Sequence, residues 1–113
     1  MFEFGSVVLA RFPFTDLSTN KLRPALVVSR DNERREDVVL AFITSNPQTA
    51  VNPDALRIDP TPVNGLKVPS VVRFDKIVTL EKQTIVGKLG NAEQTFLIAA
   101  KPVFFGVFGF ETP

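Results

Sequence analysis

Apolar residues in this chain come in short dense runs separated by polar, proline-bearing segments, which is the pattern of many short strands and few helices. Ser6 to Phe12 is β-branched and apolar, introduced by Gly5 and ended by Pro13, which withholds a ladder donor, so it predicts a strand. Phe14 to Lys21 is rich in short polar side chains that bond to their own backbone and reads as a loop. A second strand is expected over Ala25 to Ser29, followed by a mixed-charge turn, Arg30 to Glu36. Asp37 to Thr44 is almost continuously apolar and predicts a central strand buried on both faces. After the polar loop Ser45 to Pro53, Ala55 to Asp59 alternates as a short half-exposed strand would, and Pro60 and Pro62 end it. Val68 to Arg73 and Lys76 to Leu80 read as two strands meeting near Phe74-Asp75, and Ile85 to Leu89 as a weaker last one. Gly90-Asn91-Ala92-Glu93 opens the single helix pattern, with Asn91 as N-cap and Glu93 near the positive end of the helix dipole. Pro102 should end that helix near Lys101 or kink it. The order predicts a mainly β domain, a small curled antiparallel sheet or barrel with one C-terminal helix.

Composition narrows the chemistry. At 113 residues the chain is expected to form one domain over 1–113, with 44% hydrophobic residues sufficient for one core. Cysteine is absent, as expected in a reducing cytoplasm, and thiolate nucleophiles and cysteine-metal sites go with it. Histidine is absent too, which excludes Ser-His-Asp hydrolysis, zincins and histidine-based ribonuclease chemistry. No carboxylate spacing resembles a metal site and there is no glycine-rich phosphate loop, so neither metal nor cofactor is expected. Thirteen Lys plus Arg against twelve Asp plus Glu leave a net charge of +1, so a nucleic-acid site would have to be a local patch. The start is unlike a signal peptide, and the apolar segment Phe96 to Phe110 is interrupted by Lys101, Pro102 and Gly106, so no membrane partner is expected and a soluble cytoplasmic protein is the default.

Several motifs, in order, carry more than periodicity does: Phe12-Pro13-Phe14-Thr15-Asp16; Lys21-Leu22-Arg23-Pro24-Ala25-Leu26-Val27-Val28-Ser29; Ala41-Phe42-Ile43-Thr44-Ser45; Pro69-Ser70-Val71-Val72-Arg73-Phe74-Asp75-Lys76; and Gly87-Lys88-Leu89-Gly90. From Gly5 to about Leu97 the chain resembles the PemK/MazF family of toxin endoribonucleases. That resemblance implies an SH3-like small barrel of the CcdB/PemK/MazF type, a homodimer, metal-independent cleavage of single-stranded RNA and a cognate antitoxin as partner. The chain departs from the family in lacking a glycine pair before Arg23, in lacking histidine, and in its Phe-rich ending from Lys101 to Phe110.

Residue chemistry supports such a site. RNA carries its own nucleophile, the 2′-hydroxyl, so the protein need only orient it, accept its proton and stabilise charge on the phosphorane. Arg23, where a polar loop enters a strand, offers a fork matched to phosphate oxygens, and proton donation to the leaving oxygen is the family's implication alone. Thr44 ends the central strand and, by the resemblance, orients the phosphate with Ser45 in support. Arg73 and Asp75, two apart on an extended strand, share a face. Relatives imply Arg73 on phosphate and Asp75 as a base or acceptor, and a structural ion pair explains the same spacing. Asp16 is either a substrate-loop acceptor or a turn residue bonding its own backbone. Phe12 and Phe14 read as core or dimer packing more than base stacking, Arg30, Arg34 and Arg35 as a self-paired turn, and the Phe-rich tail as a buried helix end or subunit contact.

The function these readings give is the toxin of a type II toxin-antitoxin pair, cutting single-stranded mRNA at short sequences to leave 2′,3′-cyclic phosphate and 5′-hydroxyl ends. Two rivals are a non-enzymatic topoisomerase poison, since CcdB toxins resemble the family in fold, and a catalytically inactive barrel that only binds antitoxin.

Overall fold

The computed structural model describes residues 2–12, 21–46 and 52–110. Six strands and one helix follow in chain order: β1 (Ser6–Arg11), β2 (Leu22–Val27), β3 (Asp37–Thr44), β4 (Ala55–Ile58), β5 (Ser70–Glu81), β6 (Ile85–Asn91) and α1 (Gln94–Val107). They form one antiparallel sheet in the order β4-β5-β3-β2-β1-β6. Asp16, Pro13 and Phe14 lie outside the described residues.

The expected central strand stands as read, Asp37–Thr44 between β2 and β5. Its alternate residues enter two cores: Ala41 and Ile43 face α1, whereas Val38 and Leu40 pack on the other side. Consecutive Val7 and Val8 on β1, and Leu26 and Val27 on β2, divide the same way, which is why these strands carry no polar alternation. Phe12 is fully buried and meets Phe42 edge to face, centroids 5.4 Å apart, an arrangement worth about 1 kcal/mol beyond area burial. Core packing is therefore its role.

Four expectations need correction. The second strand begins at Leu22 and not Ala25, because Leu22–Ala25 pair with Arg11–Val8; Pro24 is tolerated where the β2–β3 pairing has not yet begun. The two strands expected around Phe74-Asp75 are one, and the irregularity between them is a bulge: Ala41 faces Ile77 but Phe42 faces Arg73, leaving residues 74–76 of β5 unpaired with β3. Asn91 does not cap the helix; it belongs to β6, and Glu93 occupies the N-cap without a side-chain bond. Finally, of the two outcomes expected at Pro102, an end near Lys101 is the one overturned: α1 passes through Pro102 and continues to Val107.

The segment 59–69 after β4, one edge of the sheet, folds onto β6, the other edge. Asn91 N–H donates to the Val63 carbonyl at 2.9 Å. Gly65 (φ 71°) lies so close to β6 that a Cβ there would stand 2.1 Å from the Leu89 carbonyl oxygen. This contact, with bulges in β5 and β6, curls the sheet into a small barrel and creates a groove beside the ends of β2 and β3.

Candidate functional site

The β2–β3 register pairs Ala25 with Phe42. Continued two residues toward the strand ends, it sets Arg23 opposite Thr44, on the face of Ala25 and Phe42. Both residues line one groove of about 440 Å³, with Ser45, Phe42, Leu66 and Lys67 also on its walls. Arg23 is half-buried; its Nε is shielded from water and has no acceptor among the described residues. The described carboxylates therefore leave its charge unspent, and the structure carries an unsatisfied donor at the groove wall. Thr44 is half-buried at the end of β3, where its Oγ1 accepts the Asn46 N–H at 3.2 Å. That bond orients the hydroxyl while its own hydrogen stays available to an anionic oxygen. Ser45 is exposed on the rim.

Arg73 lies on the same face, opposite Phe42, and so stands diagonally across from Thr44, whose direct partner on β5 is Val71. It is not on the groove wall with Arg23, and neither is Asp75. The pair is instead joined to itself: Arg73 Nε donates to Asp75 Oδ1 at 3.1 Å and Nη2 to Oδ2 at 2.7 Å. Asn52 Nδ2 adds a bond to Oδ2 at 3.2 Å. The Arg73 hydrogen bonds hold the Asp75 carboxyl below the usual carboxylate range, while the same contact raises the Arg73 pKa. The ion pair that the spacing allowed is thus formed, and an ionised carboxylate so stabilised is a weak proton acceptor.

The charged turn is self-paired at Arg35, whose Nε donates to Asp37 Oδ1 at 2.7 Å, whereas Arg30 and Arg34 pair with no described carboxylate. The Phe-rich tail is divided. Phe104 packs edge to face on buried Phe74 at 5.9 Å, as a buried helix end would, whereas Phe108 and Phe110 are 51% and 68% exposed. Residue reasoning missed Lys67. It lies in an aperiodic Pro/Asn/Gly segment, and only the folding of that segment onto β6 brings it to the groove; the Asn64-Gly65 pair was the available turn signal. Leu89, also on the wall, is turned there by a bulge between Lys88 and Gly90.

Comparison with known proteins identifies the fold and the family. Residues 3–101 match the family model of the PemK-like, MazF-like toxin of type II toxin-antitoxin systems. A protein of Mycolicibacterium smegmatis named "Probable endoribonuclease MazF" is 33% identical over 98 residues, covering 80% of this chain and 86% of that protein. Among solved structures, the Mycobacterium tuberculosis toxin MazF-mt6 superposes with a TM-score of 0.78 at 22% identity, over 95% of this chain and 99% of that one. An endoribonuclease in complex with its cognate antitoxin, from a mycobacterial species, gives 0.79 at 22% identity over 98% of each chain. A chain of the MazE-MazF crystal structure from Deinococcus radiodurans gives 0.73 at 20% identity over 96% of each chain. At these identities the structures speak for the fold, the CcdB/PemK-like small barrel, and the family match speaks for descent. This chain belongs to the PemK-like, MazF-like toxin family of type II toxin-antitoxin systems.

Proposed function

We propose that this toxin is a metal-independent endoribonuclease that cleaves single-stranded mRNA within the Arg23–Thr44 groove. One observation carries the reading: a guanidinium with no described carboxylate partner and a pre-oriented hydroxyl face one groove from adjacent strands of a chain in this family. The substrate's 2′-oxygen attacks the adjacent phosphorus, forming a 2′-O–P bond as the P–O5′ bond breaks. The 2′-hydroxyl proton leaves and a proton reaches the departing 5′-oxygen, so the products are a 2′,3′-cyclic phosphate and a 5′-hydroxyl, with no water consumed. Arg23 stabilises the equatorial oxygens of the phosphorane, and Thr44 holds the phosphate in line, with Ser45 at the rim. Arg73 contributes positive potential beside Thr44, and Asp75 fixes the direction of its fork. In this reading Asp75 serves chemistry through Arg73, since its carboxylate is too stabilised to be a good base. Asp16, outside the described residues, is kept as an acceptor on the substrate loop.

The partners follow from the same reading. A cognate antitoxin is supported by the complexes among the structural relatives. A homodimer is supported by apolar side chains exposed on α1 and just beyond its end, Ile98, Phe108 and Phe110. Among the described residues no helix is long and apolar enough to cross a membrane, and mRNA as substrate sets the work in the cytoplasm. The topoisomerase-poison and inactive-barrel readings leave the Arg23–Thr44 juxtaposition without a task. The deciding experiment is incubation of the purified toxin with RNA and with DNA of the same sequence in EDTA, with the new ends analysed. RNA should be cut to cyclic-phosphate and 5′-hydroxyl ends while DNA stays whole. Loss of cutting in EDTA with recovery on adding Mg²⁺ would overturn the metal-free chemistry.

A further inference from the structure

We infer that Lys67 is a substrate-positioning residue that grips the RNA backbone beside the scissile linkage, presented at the groove by a clasp built on Asn64. The inference rests on the ribonuclease reading of this groove.

Asn64 is 1% exposed. Its Oδ1 accepts the N–H groups of Thr61 (3.1 Å) and Leu66 (2.9 Å), its Nδ2 donates to the Asp59 carbonyl (2.8 Å), and its own N–H donates to Thr61 Oγ1 (3.1 Å). A buried amide with both acceptor sites and one of its two donors engaged holds the backbone of residues 59–66 in one shape. Backbone contact with β6 holds that shape in place: a Cβ at Gly65 would lie 2.1 Å from the Leu89 oxygen, and one at Gly90 would lie 2.2 Å from the Val63 oxygen. Leu66 is buried in the core under α1, so the next residue emerges from a fixed point. That residue is Lys67, exposed and on the wall of the groove that holds Arg23 and Thr44.

Four other lysines have internal tasks, whereas Lys21, exposed just before β2 and not on the groove wall, pairs with no described carboxylate. Lys88 pairs with Glu3, Lys82 donates to the Asn32 carbonyl, and Lys76 and Lys101 lie over the rings of Phe42 and Phe105. No described carboxylate pairs with Lys67. A rigidly based ammonium beside a phosphate-directed guanidinium is placed to neutralise a neighbouring phosphate on the same strand. Half-exposed Val68 and Leu89 beside it supply an apolar shelf for the attached nucleoside. Lysine acts as a point charge without a fork, so its effect belongs to binding and not to in-line geometry.

The test uses the full-length toxin with two probes: an RNA oligonucleotide for kinetics, and the same sequence with every ribose 2′-O-methylated for equilibrium binding across a salt series. Lys67→Ala should raise KM and Kd roughly tenfold, leave kcat within about twofold, and flatten the log Kd against log salt slope by about 0.7, the value for one phosphate contact on a single strand. Lys67→Arg should restore most of the affinity and the slope. Unchanged Kd and slope in Lys67→Ala, or a loss confined to kcat, would overturn the inference. A wild-type toxin that binds the methylated strand without ever cutting RNA would overturn the proposed activity while the slope comparison still judges Lys67. Failure to bind and to cut would overturn both.

Discussion

The Arg73 guanidinium grips both carboxylate oxygens of Asp75, at 3.1 and 2.7 Å, on the strand segment where β5 bulges away from β3. Because the pair lowers the Asp75 pKa, its stabilisation is fully present above the ordinary carboxylate value and is lost as pH falls through the lower folded value. Asp75→Asn should therefore cost about 1 kcal/mol at neutral pH, and the gap from wild type should narrow as pH falls below the ordinary carboxylate range. Chemical denaturation of both proteins at neutral and acid pH checks this. A gap that widened in acid would mean that the carboxylate is not held by Arg73.

Arg23→Ala separates catalysis from stability. Loss of a charge-stabilising donor should lower kcat by about two to three orders of magnitude. The substitution also removes a shielded Nε that has no acceptor among the described residues, so stability should stay within about 1 kcal/mol of wild type or rise. Arg23→Lys should not rescue turnover, because an ammonium lacks the planar fork. Single-turnover cleavage beside urea unfolding measures both; an unaltered rate would take Arg23 out of the mechanism.

Legibility in the sequence followed the range of the interactions. β3 could be read to the residue because its two-sided burial is written as one apolar run, Asp37 to Thr44. β5 could not, since a bulge looks like a strand end when Asp75 and Lys76 interrupt the alternation. The start of β2 was hidden for a similar reason: Leu22 to Pro24 are held by pairing with β1, a contact made at a distance in the chain. Arg23 and Thr44 were reachable through their motifs, whereas Lys67 depends on segment 59–69 crossing from one sheet edge to the other, which no local pattern encodes.

That crossing can be tested at two glycines. Gly65 has a positive φ and no room for a Cβ against the Leu89 carbonyl, so Gly65→Ala should cost at least about 2 kcal/mol. Gly87, on the same strand as Leu89, has nothing within 4 Å of its ideal Cβ, and Gly87→Ala should be neutral or stabilise by up to about 1 kcal/mol. Thermal or urea unfolding of the two variants side by side gives the contrast. Equal stabilities would mean that the segment does not rest on β6.

Pro102 works against its own element more than any other residue of α1. It lies in the ninth position of a fourteen-residue helix, where it has no N–H to give to Ile98 and its ring crowds that carbonyl. The helix survives because tertiary contacts outweigh propensity: Phe96, Leu97, Val103 and Phe104 pack on the core on both sides of the proline. Pro102 and Ile98 are themselves exposed, so water can reach the carbonyl left without its partner. Pro102→Ala adds the missing donor without disturbing a buried contact, and should raise stability by about 1 to 3 kcal/mol while leaving cleavage at the distant groove unchanged. Loss of stability in that variant would show that the proline sets a bend on which the packing of Val103 and Phe104 depends.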